Sequence, residues 1–454
     1  MEKALQNPEE VYILRLYNKK LTQFPAELTQ FTNLEQLLLI NNSITEIPKE
    51  ILELKKLKKL QLEGNQIDSI PEWFGNMKNL EEIDLDKNKL SELPNCFSKL
   101  KKLKRIEINS NEISSIPAYV TQLDSLEYII LNHNNIDRIP EGLTKLVKLR
   151  YLSLENNQIE TLPEDMGNLS LLKNLYLAYN EISEIPASLG NCKMLESLNL
   201  SGNNIQVIPA SICQLAELKY LYLNSNQLEV LPENIGDLRK LKRLEADNNK
   251  LTELPTSFNQ ITDLFKLTLT HNQLNRLPEN LGNSKGLKEL FLSHNKISEL
   301  PESVCELKLL TTLSISSNEL SHLPDSIGNL RSLKRINLSN NKMTELPESI
   351  GALISLTDCS LGRNPLVAIP ASLGNLKRIK WLFINDCGLK ELPESIGNLQ
   401  SLTILNITGN SFTKIPSGVF KLKRLDQLRL DLGFSQEETA LLKETLKDTR
   451  IIFE

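Results

Sequence analysis

The chain has 454 residues, of which 40% are hydrophobic and 24% are charged, and its formal net charge is −5. No apolar run approaches the ~18 residues that a membrane helix needs. The composition therefore predicts a folded, soluble chain, and we expect neither a membrane span nor a nucleic-acid partner.

The first element in chain order is a short N-terminal cap. The sequence MEKALQNPEE, residues 1–10, predicts a short helix closed by Asn7-Pro8. A stack of repeats exposes an apolar edge at each end, so a cap is expected at this place.

A 23-residue repeat fills residues 11–433. An apolar residue recurs at every step of 23 from Val11 to Leu425, and these 18 steps cover 414 residues without an insertion. Each unit follows approximately LxxLxLxxNxLxxLPxxIxxLxx, and such units bury their apolar edges only against their neighbours. The period predicts one continuous domain of about 18–19 units.

Each position of the repeat has a residue type with a physical role. Apolar positions 4 and 6 alternate with mostly polar positions 3, 5 and 7, as in a strand with one buried face. Asn occupies position 9 in 16 of the 18 full units, where its amide can satisfy backbone groups of adjoining turns. Pro at position 15 predicts the start of a brief helical or 3-10 turn. The expected architecture is an α/β solenoid with parallel strands on its concave face and slimmer segments on its convex face.

The last element is a C-terminal cap over residues 434–454. Ser435-Gln-Glu-Glu438 has the form of a capping box and predicts a helix through about Lys447. The sequence Arg450-Ile-Ile-Phe453 is compatible with a final strand.

The repeats resemble leucine-rich repeats of the 23-residue LPxxIGxL type, found in Ras-group scaffolds and abundant in bacteria. Ala4-Leu-Gln-Asn-Pro8, the LPESIGNL units and the ending Glu437-Glu…Ile452-Phe-Glu454 are most similar to the leucine-rich-repeat proteins of leptospiral spirochaetes. This resemblance implies a horseshoe solenoid capped at both ends. For the leptospiral group it also implies export and binding of host molecules. Likeness to the Ras group implies instead an intracellular scaffold that binds a GTPase or a phosphatase.

The place where the protein works stays open between two alternatives. Nothing before Ala4 resembles a signal peptide, so the chain as written is cytoplasmic, or it begins after a removed signal and is secreted or surface-bound. The six cysteines form no CxxC and no paired cap, and we expect buried free thiols. Cys387 replaces the position-9 Asn, and irregular packing near the end of the array is our interpretation of it.

The sequence offers no catalytic motif. GxxxxGK[ST], HExxH and GxSxG are missing, so we predict a non-enzyme without catalytic residues, cofactor or metal. His271 and His294 share position 8 in adjacent repeats, and Asp247 lies one repeat earlier. These three residues are compatible with a weak metal site, but we favour a solvated histidine pair.

Charge follows the repeat. Basic residues gather at positions 22, 23, 2 and 3, as in Lys101, Lys102, Lys104 and Arg105. They form a lateral rim that could meet anionic glycans or membranes, but we favour a rim that serves solubility because the total charge is negative.

Outward-facing aromatic residues are the best candidates for a partner site. They form a main group in repeats six to ten and a sparser group in repeats thirteen and seventeen. The main group is Tyr128, Ile130, Tyr151, Tyr176, Tyr220 and Tyr222, and the second is Phe291, Trp381 and Phe383. The simpler alternative is that Tyr has a high strand propensity. The sequence predicts non-catalytic binding of a protein ligand on the concave face, and it leaves the oligomeric state open.

Overall fold

A computed structural model describes residues 2–454. The chain forms two compact units, the first ending at Asn226 and the second beginning at Gln227. Each unit is a segment of parallel-stranded solenoid in which short strands alternate with 3-10 turns.

The strands recur with the predicted period of 23 residues. In the first unit they are β1 Ile13–Arg15, β2 Gln36–Leu38, β3 Lys59–Gln61, β4 Glu82–Asp84, β5 Arg105–Glu107, β6 Tyr128–Ile130, β7 Tyr151–Ser153, β8 Asn174–Tyr176, β9 Ser197–Asn199 and β10 Tyr220–Tyr222. In the second unit they are β11 Arg243–Glu245, β12 Lys266–Thr268, β13 Glu289–Phe291, β14 Thr312–Ser314, β15 Arg335–Asn337, β16 Asp358–Ser360, β17 Trp381–Phe383, β18 Ile404–Asn406, β19 Gln427–Leu430 and β20 Arg450–Phe453. Within each unit, consecutive strands pair in parallel with a register of 23, as Tyr128 with Tyr151 shows.

The turns between strands are 3-10 helices. In the first unit they are Ala4–Gln6, Pro8–Glu10, Ala26–Gln30, Lys49–Glu53, Glu72–Asn76, Asn95–Lys99, Ala118–Gln122, Glu141–Lys145, Met166–Asn168, Ala187–Asn191 and Ala210–Gln214. In the second unit they are Ile235–Asp237, Thr256–Gln260, Leu281–Asn283, Glu302–Glu306, Ile327–Asn329, Glu348–Ala352, Ala371–Asn375, Glu394–Asn398 and Ser417–Lys421. The N-terminal segment thus forms two short 3-10 turns on either side of Asn7.

The repeat prolines lie just before the turns rather than inside them. Pro186, for example, has φ −64° and ψ 136°, and the 3-10 helix Ala187–Asn191 follows it. Glycine is required later in the same turn, because a Cβ on Gly190 would lie 2.3 Å from the carbonyl oxygen of Ser211 in the next repeat. Successive turns therefore pack backbone against backbone.

The position-9 asparagines form a ladder that connects neighbouring repeats, as the sequence predicts. Asn65 donates from Nδ2 to the carbonyl oxygens of Leu39 and Leu62 at 3.0 and 2.8 Å, and its Oδ1 accepts from the Ile44 N–H at 3.0 Å. One buried side chain thus bonds three backbone groups of two repeats, and the two carbonyl oxygens also accept from the neighbouring ladder residues Asn42 and Asn88 at 2.8 and 3.0 Å.

Cys387 takes the place of an asparagine in this ladder. The Cys387 thiol is buried and makes weak contacts to the carbonyl oxygens of Leu361 and Asn385 at 3.5 and 3.4 Å. In a regular repeat, the asparagine Oδ1 at position 387 would accept a hydrogen bond from the backbone N–H of Leu366. Here that N–H donates to the Asn364 carbonyl oxygen at 2.8 Å instead. A local turn therefore compensates for the substitution, and the structural interpretation of Cys387 is confirmed.

The C-terminal end carries the helix α1, Gln436–Thr445, and the final strand β20. Ser435 and Glu438 form the reciprocal bonds of a capping box. Strand β20 continues the parallel pairing beyond β19. Among residues 2–454, no helix is long and apolar enough to cross a membrane.

Candidate functional site

The outward positions of strands β6–β10 form the candidate site, which we call the tyrosine face. The pleat of each strand sends its middle residue inward, and Leu152, Leu175 and Leu221 are fully buried. The flanking residues point to the other side, where the small Ser153 and Ser197 are buried and the others, including Tyr128 and Tyr151, are half-buried. The strand pattern alone therefore positions these rings.

Three tyrosines form a continuous row on this face, with Tyr151 in contact with Tyr128 on one side and with Tyr176 on the other. The ring centroids of Tyr128 and Tyr151 lie 6.2 Å apart with an interplanar angle of 32°. Tyr151 and Tyr176 meet edge to face at 5.4 Å and 70°. Edge contacts of this kind stabilise aromatic pairs and fix the orientation of each ring. The three residues form one ordered platform, which we call the tyrosine triad.

Burial raises the pKa of the Tyr151 phenol, and the neighbouring Tyr176 adds to this shift. The hydroxyl therefore stays protonated and can both donate and accept hydrogen bonds. Asn174 supports the triad by donating from Nδ2 to Tyr176 Oη at 3.2 Å.

Arg105 extends the triad on the side of β5, and the sequence analysis did not single it out for this role. Its guanidinium carbon lies 4.9 Å from the centroid of the Tyr128 ring, within the range of a cation–π contact. Glu107 forms an ion pair with the same guanidinium. The repeat period could have predicted this position, since Arg105 lies 23 residues before Tyr128 and therefore beside it on the neighbouring strand.

The remaining predicted residues lie around the triad. Ile130 is on β6 and is half-buried, while Tyr220 and Tyr222 are on β10. Strand β9, with Ser197 and Asn199 facing outward, separates β10 from the triad strand β8. The structure therefore brings Tyr128, Tyr151 and Tyr176 into contact and places Tyr220 and Tyr222 two strands, or ~10 Å, beyond.

Polar side chains fill the space beside the aromatic rings. Asn199 donates from Nδ2 to Glu155 Oε1 at 2.8 Å across two repeats. Ser153 donates its hydroxyl hydrogen to Asn132 Oδ1 at 2.7 Å. Burial raises the pKa of Glu155, and the Asn199 amide counteracts this shift. The face thus offers hydrogen-bonding groups next to apolar ring surface.

An acidic cluster adjoins Arg105 and was not predicted. The carboxylate oxygens of Asp84, Asp86 and Glu107 lie within 4.8 Å of one another. Burial raises the pKa of Asp84 to about 6, and the neighbouring carboxylates add to the shift. Asn109 donates to both oxygens of Asp86, at 2.6 Å from its backbone N–H and 2.8 Å from its side chain. Although three carboxylates are ligands suited to a hard cation, donors of the protein itself already occupy this cluster.

The second aromatic group is not brought together. Phe291 lies on β13, whereas Trp381 and Phe383 lie on β17, four strands or ~19 Å away. Trp381 is 47% exposed, while Phe383 is half-buried. The Lys266 ammonium lies 5.8 Å from the Phe291 ring centroid.

His271 and His294 are neighbours, as their shared repeat position predicts. Their rings stack at 4.0 Å with an interplanar angle of 10°. Burial lowers the pKa of His294, and His271 lowers it further. Parallel stacked rings direct their nitrogen lone pairs alongside each other rather than to a common point, so the pair lacks the convergence of a metal site.

Parallel strands and 3-10 turns that recur every 23 residues define a solenoid repeat protein. The family is shown by sequence models across the chain. Models described as "Leucine-rich repeat region" match residues 206–294, 279–365 and 370–440. Models described as "Leucine rich repeat" match residues 70–113, 101–159, 152–205 and 170–228, and a two-copy model matches residues 32–75. The chain belongs to the leucine-rich-repeat family, whose members are generally non-catalytic and typically bind other proteins.

Solved structures give the same result. A leucine-rich-repeat protein of Leptospira interrogans is 29% identical over 100% of this chain and 98% of its own, with a TM-score of 0.69. The Arabidopsis receptor kinase HAESA, solved with the peptide hormone IDA and the co-receptor SERK1, is 27% identical over 100% of this chain and 83% of its own, with a TM-score of 0.69. The functional domain of InlJ from Listeria monocytogenes, at 22% identity and a TM-score of 0.66 over 84% of this chain and 75% of its own, shares the fold. A search of curated proteins found no match.

Proposed function

We propose that the tyrosine face binds a protein or peptide ligand without catalysis. The observation that carries this proposal is the row of three half-buried tyrosines, in which Tyr151 contacts both Tyr128 and Tyr176, on a backbone held by paired strands. Aromatic rings that are already ordered contribute large contact area at low entropic cost on binding. The residues expected to contact the ligand are Tyr128, Ile130, Tyr151, Tyr176, Tyr220 and Tyr222, with the triad as the anchor.

Strand propensity alone does not explain this distribution. Propensity would scatter tyrosines over the outward positions of all strands, but every tyrosine at position 3 or 5 lies on β6, β7, β8 or β10. The polar frame of Asn199, Glu155 and Ser153 supplies donors and acceptors beside the rings. A polypeptide ligand needs both kinds of contact, since its apolar side chains alternate with main-chain amides.

The relatives support a macromolecular ligand and a place outside the cell. HAESA is a receptor that was solved with a peptide hormone, and the Leptospira protein matches this chain over its full length. We therefore propose that this protein is a bacterial surface or secreted binder of host molecules. Proteolysis of intact source cells should then remove the chain while a cytoplasmic marker survives, and full protection of the chain would contradict that location.

The binding proposal is tested by replacing Tyr128, Tyr151 and Tyr176 with Ala. A matched control replaces Tyr12, Tyr17 and Tyr179, which are 54%, 36% and 61% exposed and lie outside positions 3 and 5. Partners recovered from host-cell extracts by the wild type are identified, and their affinity for each variant is measured. Loss of a hot-spot cluster weakens binding by about 2 kcal/mol or more, which is roughly 30-fold.

We expect the triad variant to lose the partner while its circular dichroism and melting temperature stay close to wild type, and the control variant to retain it. Equal affinity of the wild type and a folded triad variant would remove the tyrosine face as the binding site.

A further inference from the structure

The rim beside the N-terminal ends of the strands differs between the two units. In the first unit, position 2 of the repeat is charged from Glu35 to Lys219, and each cation there is paired with a glutamate of an adjacent repeat. These ion pairs are Lys58–Glu35 at 2.9 Å, Lys104–Glu81 at 2.7 Å, Arg150–Glu127 at 3.3 Å, Lys173–Glu196 at 3.2 Å and Lys219–Glu196 at 2.6 Å. This part of the rim neutralises itself.

In the second unit the same column alternates lysine with threonine from Lys288 to Thr403, preceded by Lys242 and Phe265 and followed by Asp426. Thr311, Thr357 and Thr403 donate their hydroxyl hydrogens to the carbonyl oxygens of Lys288, Lys334 and Lys380, at 3.0, 2.9 and 3.2 Å. The threonines thus contact the backbone and bring no charge of their own, and the Thr357 hydroxyl also lies 2.6 Å from Oδ2 of the neighbouring Asp358. The three lysine side chains are exposed, and none has an ion pair within the part of the chain that the structure describes.

Three arginines in the turns before β15, β17 and β19 extend this row. Arg331, Arg378 and Arg424 are exposed and also have no ion pair among residues 2–454. We call the whole row the basic rim: Lys288, Arg331, Lys334, Arg378, Lys380 and Arg424.

These six cations precede odd-numbered strands, from β13 to β19. Lys308, which precedes β14 at the repeat position of Arg331, is also exposed and donates to the Cys305 carbonyl oxygen at 3.2 Å. At ~4.8 Å between neighbouring strands, positive charge recurs every ~10 Å along ~29 Å of the rim. Like charges in a row repel one another, and the chain as a whole carries a net charge of −5. The abundance of lysine and arginine in the repeat does not by itself explain this row of six unpaired cations, because the first unit pairs the equivalent lysines with glutamates.

We propose that the basic rim binds a linear sulfated polysaccharide. Lysine and arginine on flexible stems bind oxyanions, and a polyanion that reaches several of them releases its counterions, which favours association. A row one or two side chains wide matches a linear polymer rather than the plane of a bilayer. Trp381, 47% exposed and next to Lys380, offers an apolar ring against which one sugar ring can pack.

Nucleic acid fits this row less well. Phosphates along one strand follow each other every ~3.4 Å, far closer than the ~10 Å spacing of the rim charges. Single-stranded nucleic acid is also held by successive aromatic platforms. The side chains between the cationic positions are instead those of Thr311, Thr357 and Thr403.

The test measures binding of the full chain to a size-defined heparin oligosaccharide that is long enough to span the rim. One variant replaces Lys288, Lys334 and Lys380 with Ser. The control replaces Lys58, Lys104 and Lys219 with Ser. It removes the same number of positive charges, but from residues that are already ion-paired. We expect the rim variant to bind about tenfold more weakly or worse, and the control to change less than about twofold.

The wild-type affinity should also fall steeply with added salt, and neutral dextran should not bind. Undetectable heparin binding by the wild type, or equal loss in both variants, would overturn the proposal. Phosphatidylserine vesicles and oligothymidylate are measured in parallel, and rim-dependent binding of either one without rim-dependent heparin binding would assign the rim to a membrane or to nucleic acid. The tyrosine-triad variant should keep its heparin affinity, which separates this site from the tyrosine face.

Discussion

Replacing one asparagine of the ladder tests how strongly the repeats are held together. Asn341 is 8% exposed, and its Nδ2 donates to the carbonyl oxygens of Ile315 and Leu338 at 2.9 Å each. Its Oδ1 accepts from the Leu320 N–H at 3.0 Å. Asn341→Ala removes three buried hydrogen bonds and leaves the Leu320 N–H without an acceptor, while the carbonyl oxygens of Ile315 and Leu338 keep the donors Asn318 and Asn364 at 3.2 and 3.0 Å. At ~1 kcal/mol for each lost bond, the free energy of unfolding should fall by about 3 kcal/mol.

Cys387→Ala is the matched comparison at the same repeat position. Its thiol is a weak donor at 3.4–3.5 Å, and the Leu366 N–H already has another partner. Loss of a small buried thiol should therefore cost only ~1 kcal/mol.

The assay is urea unfolding followed by far-ultraviolet circular dichroism, with the slope of the transition compared between variants so that midpoints can be converted to free energies. Equal destabilisation by the two substitutions, or a cost below ~1 kcal/mol for Asn341→Ala, would refute the assigned role of the ladder.

Three further predictions concern single groups. Burial raises the pKa of Asp84 from 3.8 to about 6, so its stabilising contribution is complete below pH 3.8 and is lost as the pH rises through about 6. Asp84→Asn should therefore melt at a higher temperature than wild type at neutral pH and not below pH 3.8, and calorimetry showing a pH-independent difference would count against this. All six cysteines are buried, and burial raises the pKa of Cys359 to about 12. A thiol-alkylating reagent should therefore label the chain only after unfolding. Intact-mass analysis checks this, and rapid labelling of the native protein would disprove it. Ser435→Ala removes the acceptor for the Glu438 N–H at 3.1 Å and should cost ~1 kcal/mol, seen as faster hydrogen exchange in α1; unchanged protection would show that the cap is dispensable.

Much of the fold follows from the sequence because each repeat packs against copies of itself. The alternation around Leu152 and Leu175 predicts buried strand centres, and both side chains are fully buried. The position-9 amide predicts a ladder, and Asn65 bonds two repeats in the expected way. The prolines at position 15 correctly predict where each turn begins, although Pro186 precedes its 3-10 turn rather than lying inside it.

For the candidate site, the sequence predicts which residues lie on neighbouring strands but not how their side chains contact one another. The period places Tyr128 beside Tyr151, and the structure shows them in register. The edge contact of Tyr151 with Tyr176 and the position of Arg105 over the Tyr128 ring depend on side-chain rotamers, which a repeat pattern does not specify. The sparser group of Phe291, Trp381 and Phe383 spans four strands, as the separation of repeats thirteen and seventeen predicts.

The sequence by itself determined the repeat length, the inward and outward positions of each strand and the role of the asparagine column. Those features depend on local periodicity and on contacts between equivalent residues of adjacent copies. Only the tertiary structure decided which outward side chains meet. The ordered tyrosine triad, the occupied acidic cluster and the contrast between paired and unpaired lysines of the rim arise from the partner that each side chain contacts. Residues with the same repeat position and the same chemistry, such as Lys104 and Lys334, therefore differ in their surroundings, because Lys104 is paired with a carboxylate and Lys334 lies beside a threonine.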